Sequence, residues 1–306
     1  MTKATCIQLA AGLALMAVPA LAQQDFSKVE MKVVPVSGNI YMLEGAGGNI
    51  GVSAGPDGIL IVDDQYAPLA EKIKTALKGI NPGQLKFVLN THYHGDHTGG
   101  NPTFGPEAPI IAQENVRKRL ESGTMVRGEK VEAMTAAGLP VITFEEAVSV
   151  HFNGEEIKAI HYPHGHTDGD SIIFFTKSNV IHMGDDFFVG RFPFVDLDNG
   201  GSVQGLTDNV AKVIAKVPAG AKIIPGHGKV STLDDLKKYH SMLVETTGIV
   251  QKQMDAGKTL EQIQAQGLPE AWKEWGGGFI KTDFWLATLH ESLQAGKKNP
   301  AGSTHH

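Results

Sequence analysis

Cysteine is almost missing from this chain. The 306 residues hold one, Cys6, and it lies in an apolar N-terminal stretch, so the remainder can form no disulfide and carry out no thiolate chemistry. A metal bound outside that stretch must be held by His, Asp or Glu. Positive charge is also in deficit: 27 Lys and Arg against 33 Asp and Glu give a formal net charge of −6. No basic field exists to gather a phosphate backbone, so nucleic acid is not an expected partner. A long hydrophobic run is lacking as well. The apolar run from Ile7 to Val18 is short for a membrane span of about 20 residues and has no stop-transfer flank.

What stands in its place is a leader pattern: Lys3, the apolar run, then Ala20-Leu21-Ala22. This predicts a secretory signal over residues 1–22, cleaved after Ala22, and a periplasmic or secreted product with no membrane attachment. A mature chain without thiols suits an oxidising compartment. With 42% hydrophobic and 20% charged residues, residues 23–306 are expected to fold as one domain with a helical C-terminal part, and as a monomer. The terminal His305 and His306 are set aside as either native or appended.

Along that domain, residues 39–45, 48–55 and 58–64 read as strands punctuated by Gly-Pro-Asp-Gly. A helix follows over 67–79, with Leu69, Ile73, Ala76 and Leu77 on one face, and then a buried strand over 86–90. Strands are expected again over 155–163, 170–176 and 179–185, a helix over 203–217 and a strand over 221–225. From Ser231 onward the pattern is helical, with Ser231 or Thr232 as N-cap. Polar clusters therefore fall where strands end, the usual place for a site on a rigid sheet.

The densest cluster is NTHYHGDHTGG, residues 90–100, with His92, His94, Asp96 and His97 inside six positions. Further ligand-type side chains follow in separate stretches: His166 in PHGHTDGD, Asp185 in HMGDD and His227 in PGHGK. Singly, each of these three would read as a loop or turn residue. HxHxDH is more specific, because burying four such groups without a metal leaves donors and acceptors unpaired. Seven ligands suffice for two zinc ions, each with an open position for water. His92 and His94, one residue apart on extended backbone, can point the same way, leaving Asp96 and His97 for a neighbouring ion.

HYHGDH, GHTDGD, MGDD and PGHG, in this order from about Asn39 to His227, resemble the metallo-β-lactamase superfamily. The resemblance implies a four-layer αββα sandwich, an α/β fold, with two Zn2+ between its sheets. It assigns His92, His94 and His166 to one ion, Asp96, His97 and His227 to the other, and Asp185 to both. It implies a hydrolase in which a metal-bound hydroxide attacks a carbonyl, with Asp96 orienting the nucleophile and passing on a proton. The expected substrate is a small molecule, first a β-lactam, with a lactone or thioester as the alternative. Two departures from lactamases bear on that choice: Asp185 itself, which resembles glyoxalase II and lactonases, and Phe188 where a lysine would receive a lactam carboxylate. A reading from another class is a mononuclear-iron oxygenase acting on a persulfide.

Around the ligands, Arg191 is a candidate receptor for a substrate carboxylate. Phe188 and His164 are candidate pocket walls. Asp63 and Asp170 are candidates to hydrogen-bond a ligand imidazole from behind. His161 and His182 alternate with apolar neighbours and are expected in the core or on the surface.

Overall fold

Strand β4 (Gly58–Val62) is buried at every position, which requires a sheet covered on both faces. The computed structural model, which describes residues 25–298, supplies both covers. The leader read at residues 1–22, with Cys6, and His305 and His306 lie outside the described residues. Before β4 come β1 (Lys32–Ser37), β2 (Ile40–Glu44) and β3 (Ile50–Gly55), joined antiparallel. Helix α1 (Ala70–Ile80) then carries the chain over to β5 (Leu85–Leu89), parallel to β4. Two single-turn helices, α2 (Gly95–Thr98) and α3 (Asn101–Phe104), precede β6 (Ile110–Gln113) and α4 (Glu114–Ser122). The hairpin of β7 (Thr124–Val126) and β8 (Glu129–Val131) stands apart, and β9 (Ile142–Phe144) returns to β6, completing a seven-stranded sheet in the order β1-β2-β3-β4-β5-β6-β9.

The second sheet has five strands: β10 (Ala147–Phe152), β11 (Glu155–His161), β12 (Ser171–Phe175), β13 (Val180–His182) and β14 (Lys222–Ile224). Helix α5 (Val203–Lys216) is the crossover that makes β13 and β14 parallel. The chain ends in α6 (Leu233–Asp255), α7 (Leu260–Gln266), α8 (Glu270–Lys273) and α9 (Thr282–Lys298). Among the described residues no helix is long and apolar enough to cross a membrane.

Three apolar layers show how these pieces stack. Leu60, Val62 and Leu89 of the first sheet meet Ile157, Ile173 and Val180 of the second. On its other face the first sheet packs Ile59, Ile61 and Val88 against Leu69, Ile73 and Leu77. The second packs Ile172, Ile181 and Ile223 against Leu206 and Val210 of α5, Tyr239 of α6 and Trp285 of α9. Alternation along β4 thus sends successive side chains to two different cores, and the order is helices, sheet, sheet, helices. The expected α/β sandwich is the fold observed.

Differences from the expected elements are local. Strand β13 stops at His182, because Gly184 turns the backbone at φ +51° into a short 3-10 turn over Gly184–Asp186. Strand β1 carries Pro35 and shifts register there, as an exposed edge strand tolerates.

Candidate metal centre

The ligand candidates converge where the two sheets meet. His92 and His94 follow the end of β5, and α2 then turns the chain so that Asp96 and His97 face the same space. His166 lies between β11 and β12, Asp185 just after β13 and His227 just after β14. In each of three groups the ligand atoms lie within 4.8 Å of one another: His92, His94, His166; Asp96, His97, His227; and His92, His97, Asp185. Asp185 stands between the other two. Its Oδ2 is 3.5 Å from His166 Nε2 and 3.9 Å from His92 Nε2. Its Oδ1 is 3.1 Å from His97 Nε2 and 3.4 Å from His227 Nε2.

The outward ring nitrogens have partners in the protein. His97 Nδ1 meets the Asp63 carboxylate at 2.7 Å, and His94 Nε2 meets Asp196 Oδ2 at 2.9 Å. His166 Nδ1 reaches the Phe194 carbonyl at 2.8 Å and His92 Nδ1 the Thr91 hydroxyl at 3.0 Å. Such partners fix which nitrogen of each imidazole faces a metal. By contrast, the inward atoms His92 Nε2, His97 Nε2 and Asp185 Oδ1 are buried and make no aligned hydrogen bond. Burying polar atoms unpaired is costly. The backbone is drawn in around them: a Cβ on Gly226 would stand 1.9 Å from Asp185 Oδ1, and one on Gly48 2.1 Å from His97 Cε1. A glycine is required at both positions.

Without an ion, charge divides between the two trios. Burial, with the neighbouring His97, holds His92 well below the usual imidazole range. Burial also pushes His166 down to about 4, Asp185 opposing and His94 assisting. Burial would lower His97 and His227 too, but Asp185 and Asp96 outweigh it, keeping His97 well above its usual range and His227 at about 9. Asp96 shows the converse: burial favours its protonation, yet His97 and His227 hold it at about 2. His92 and His166 are therefore neutral, and the second trio is a cluster of ion pairs. The side chains of Asp96 and His227 are each 22% exposed, against 1% for His92 and His166, so the centre opens to solvent on the second trio's side.

Of the residues expected beside the ligands, Phe188 stacks on His227 with ring centres 5.2 Å apart, and its ring also lies 6.3 Å from His166. Arg191 is half-buried against the position of Gly278. His164 requires a correction. Its ring is exposed and bonds the Gly200 carbonyl at 3.0 Å, because the backbone there turns left-handed at φ +56° and carries the side chain outward. Asp63 does back a ligand imidazole. Asp170 instead bonds Thr167, beside His166. His161 is half-buried and His182 fully buried, its Nε2 on the Asn49 carbonyl at 3.0 Å.

The sequence reading did not single out Thr91, Tyr93, Phe194, Asp196 or Tyr66. Tyr93 donates to Asp196, which also faces His94. Tyr66 lies across Gly47 from Asp96, and burial together with the charges of Asp96 and Asp185 raises its phenol to about 12.

Comparison with known proteins agrees with this geometry. The family model described as "Metallo-beta-lactamase superfamily" matches residues 33–261. A hydroxyacylglutathione hydrolase of Nitrosococcus oceani is 29% identical over 164 residues, 52% of this chain and 55% of that protein. The 2,4-dinitroanisole O-demethylase subunit alpha of a Nocardioides species is 24% identical over 163 residues, 52% of this chain and 47% of the relative. The chain thus spans about half the length of these curated relatives. Among solved structures, the DIM-1 metallo-β-lactamase superposes with a TM-score of 0.57 at 17% identity, covering 71% of this chain and 99% of that one. A metallo-β-lactamase from Pontibacter korlensis gives 0.58 at 15% identity, covering 70% and 99%. By its fold and by the family model that spans most of its length, the chain belongs to the metallo-β-lactamase superfamily.

Proposed function

We propose that the protein is a hydrolase dependent on two divalent ions, zinc by the chemistry of its imidazole and carboxylate donors, and that it cleaves an ester-type carbonyl compound, a thioester or lactone. One observation carries this reading: two trios of ligand atoms flank Asp185, and three of the inward atoms, His92 Nε2, His97 Nε2 and Asp185 Oδ1, are buried without hydrogen-bond partners. His92, His94 and His166 would hold one ion, Asp96, His97 and His227 the other, and Asp185 both. Bound there, such ions would supply Lewis acidity for a carbonyl oxygen and an acidified water, whose pKa falls toward about 7. The chain's own residues position and move protons. Asp96, at the open side and 3.3 Å from His227, orients the attacking water and carries its proton toward the leaving group. Tyr66 keeps its phenolic proton at neutral pH beside these carboxylates and excludes bulk water from one side. Phe188 closes the wall behind His227.

The β-lactam, the first expectation from the sequence, becomes the second reading. It is supported by the stretch from Tyr162 to Asp170 and by the leader at residues 1–22, which also supports export as part of this proposal. It ranks second because the cation expected near Asp185 is replaced by the ring of Phe188. The test is hydrolysis of a glutathione thioester, an acyl lactone and a chromogenic cephalosporin by one preparation, with metal content determined on the same sample and a chelator control. Chelator-sensitive turnover of thioester or lactone with two zincs per chain is expected. Turnover of the cephalosporin alone would move the assignment to β-lactams, and one iron per chain with oxygen uptake would replace hydrolysis by oxygenation. An Asp96→Asn protein that binds two zincs and turns over at the unaltered rate would remove the role given to Asp96.

A further inference from the structure

Beside the metal centre lies a second opening, a cavity of about 320 Å³ whose walls include Arg127, Phe194, Asp196, Asp198, Phe284 and Glu291. Two of these touch the centre itself. The Phe194 ring is 5.6 Å from the ring of His94 and 5.8 Å from that of His166, while Asp196 bonds His94. Arg127, at the tip of the β7–β8 hairpin, adopts a left-handed backbone at φ +54°. Its guanidinium carbon stands 4.5 Å from the Phe284 ring centre, 5.3 Å from Phe279 and 5.8 Å from Phe194. Arg117 and Arg119 are paired to Glu121 and Asp168. Among the described residues Arg127 has no such carboxylate partner. A guanidinium lying against aromatic faces keeps its in-plane N–H donors free, in the fork geometry that matches a carboxylate.

The hairpin is tied to the metal centre. Asn199 donates to the Met125 carbonyl at 2.7 Å and to the two oxygens of Asp196 at 2.9 and 2.8 Å. Its own carbonyl oxygen accepts from Thr124 at 2.5 Å and from Arg119 at 2.7 Å. Hairpin, Asn199, Asp196 and His94 therefore form one continuous hydrogen-bonded run, and the tip keeps a set position relative to the ligands. Asp198 and Glu291 on the outer rim oppose a free anion. A carboxylate is welcome at Arg127 when the rest of its molecule is already held at the metal centre.

We propose that Arg127 receives a carboxylate of the substrate, and that an apolar spacer lying across Phe194 separates that carboxylate from the scissile carbonyl. This rests on the hydrolase reading above and narrows its substrate class to esters or thioesters of a dicarboxylic acid, whose acyl chain ends in a free carboxylate. A bicyclic β-lactam does not meet the requirement, since its carboxylate sits beside the scissile ring.

The test compares the p-nitrophenyl half-ester of octanedioic acid with p-nitrophenyl octanoate, on the zinc-loaded full chain and its Arg127→Ala and Arg127→Lys variants. The ratio of kcat/KM for half-ester over neutral ester falls about 10-fold or more in Arg127→Ala, through KM, and recovers in part in Arg127→Lys, which keeps the charge and loses the fork. An unaltered ratio overturns the proposal. Calorimetric titration with octanedioate and octanoate needs no turnover: the unaltered protein prefers the dicarboxylate and Arg127→Ala loses the preference. No preference in the unaltered protein also overturns it. A preserved preference without ester turnover would instead sink the hydrolase reading and leave Arg127 with its carboxylate.

Discussion

Asp63 shows what a single residue does for this site. Its Oδ2 meets His97 Nδ1, while Oδ1 accepts the Thr91 N–H at 2.7 Å and Oδ2 the Thr91 hydroxyl at 2.7 Å. The carboxylate thereby sets the ring of His97 and, through Thr91, that of His92. Asp63→Asn keeps the volume and removes the charge, so metal affinity should fall about 10- to 100-fold, measured by competition with a chromophoric chelator. The ligands themselves predict a pH signature. At pH 7 the raised His97 and His227 carry protons that an entering ion must displace, whereas the lowered His92 and His166 carry none. Occupancy of the second trio should therefore strengthen as pH rises toward about 9, and metal loading at pH 7 should release protons. Calorimetry in two buffers of different ionisation enthalpy reads that release. At this scale the HxHxDH histidines and Asp63 were legible, because they cluster at strand ends. Asp196 was not, since it lies a hundred positions from the histidine it holds, and the Phe194 carbonyl has no side-chain identity to read.

Among the elements, α6 can be tested most directly. The sequence left Ser231 and Thr232 open as its cap. The structure uses Thr232, whose hydroxyl accepts the Asp235 N–H while the Asp235 carboxylate accepts the Thr232 N–H at 2.9 Å. Thr232→Ala should cost about 1 kcal/mol and lower the melting temperature by roughly 2–4 °C in a thermal scan. The strands from Ile40 to Val62 were legible because turns of glycine, proline and aspartate punctuate them. Residues 105–154 were not assigned. Their strands are short or half exposed: β7, β8 and β9 have three residues each, and β10 alternates exposed and half-buried positions as an edge strand. That is also the segment that supplies Arg127, where a tip with φ +54° at a non-glycine residue gives no local sign of its conformation.

For the molecule as a whole, the four layers were implied by the resemblance of the ligand motifs, while the apolar pattern by itself indicated strands and helices without their stacking. Which strand ends would meet depends on how the sheets stack, and no local period reports that. Ions that bind the folded chain alone add stability by mass action, about 2.7 kcal/mol at a concentration 100 times the dissociation constant. Zinc should therefore raise the melting temperature in scanning calorimetry and a chelator should reverse it; a melting temperature indifferent to both would count against a metal centre. The placement of the ligands has one more consequence. His92, His94, Asp96 and His97 belong to the first sheet's half of the chain, and His166, Asp185 and His227 to the second's. Ions shared between them would act as cross-links, one closing the 72 positions from His94 to His166 and the other the longer span from His97 to His227, topological restraints on the unfolded chain comparable to the roughly 4–5 kcal/mol of a disulfide over such spans. A chain with no thiol among its described residues would thus hold its two halves together by coordination.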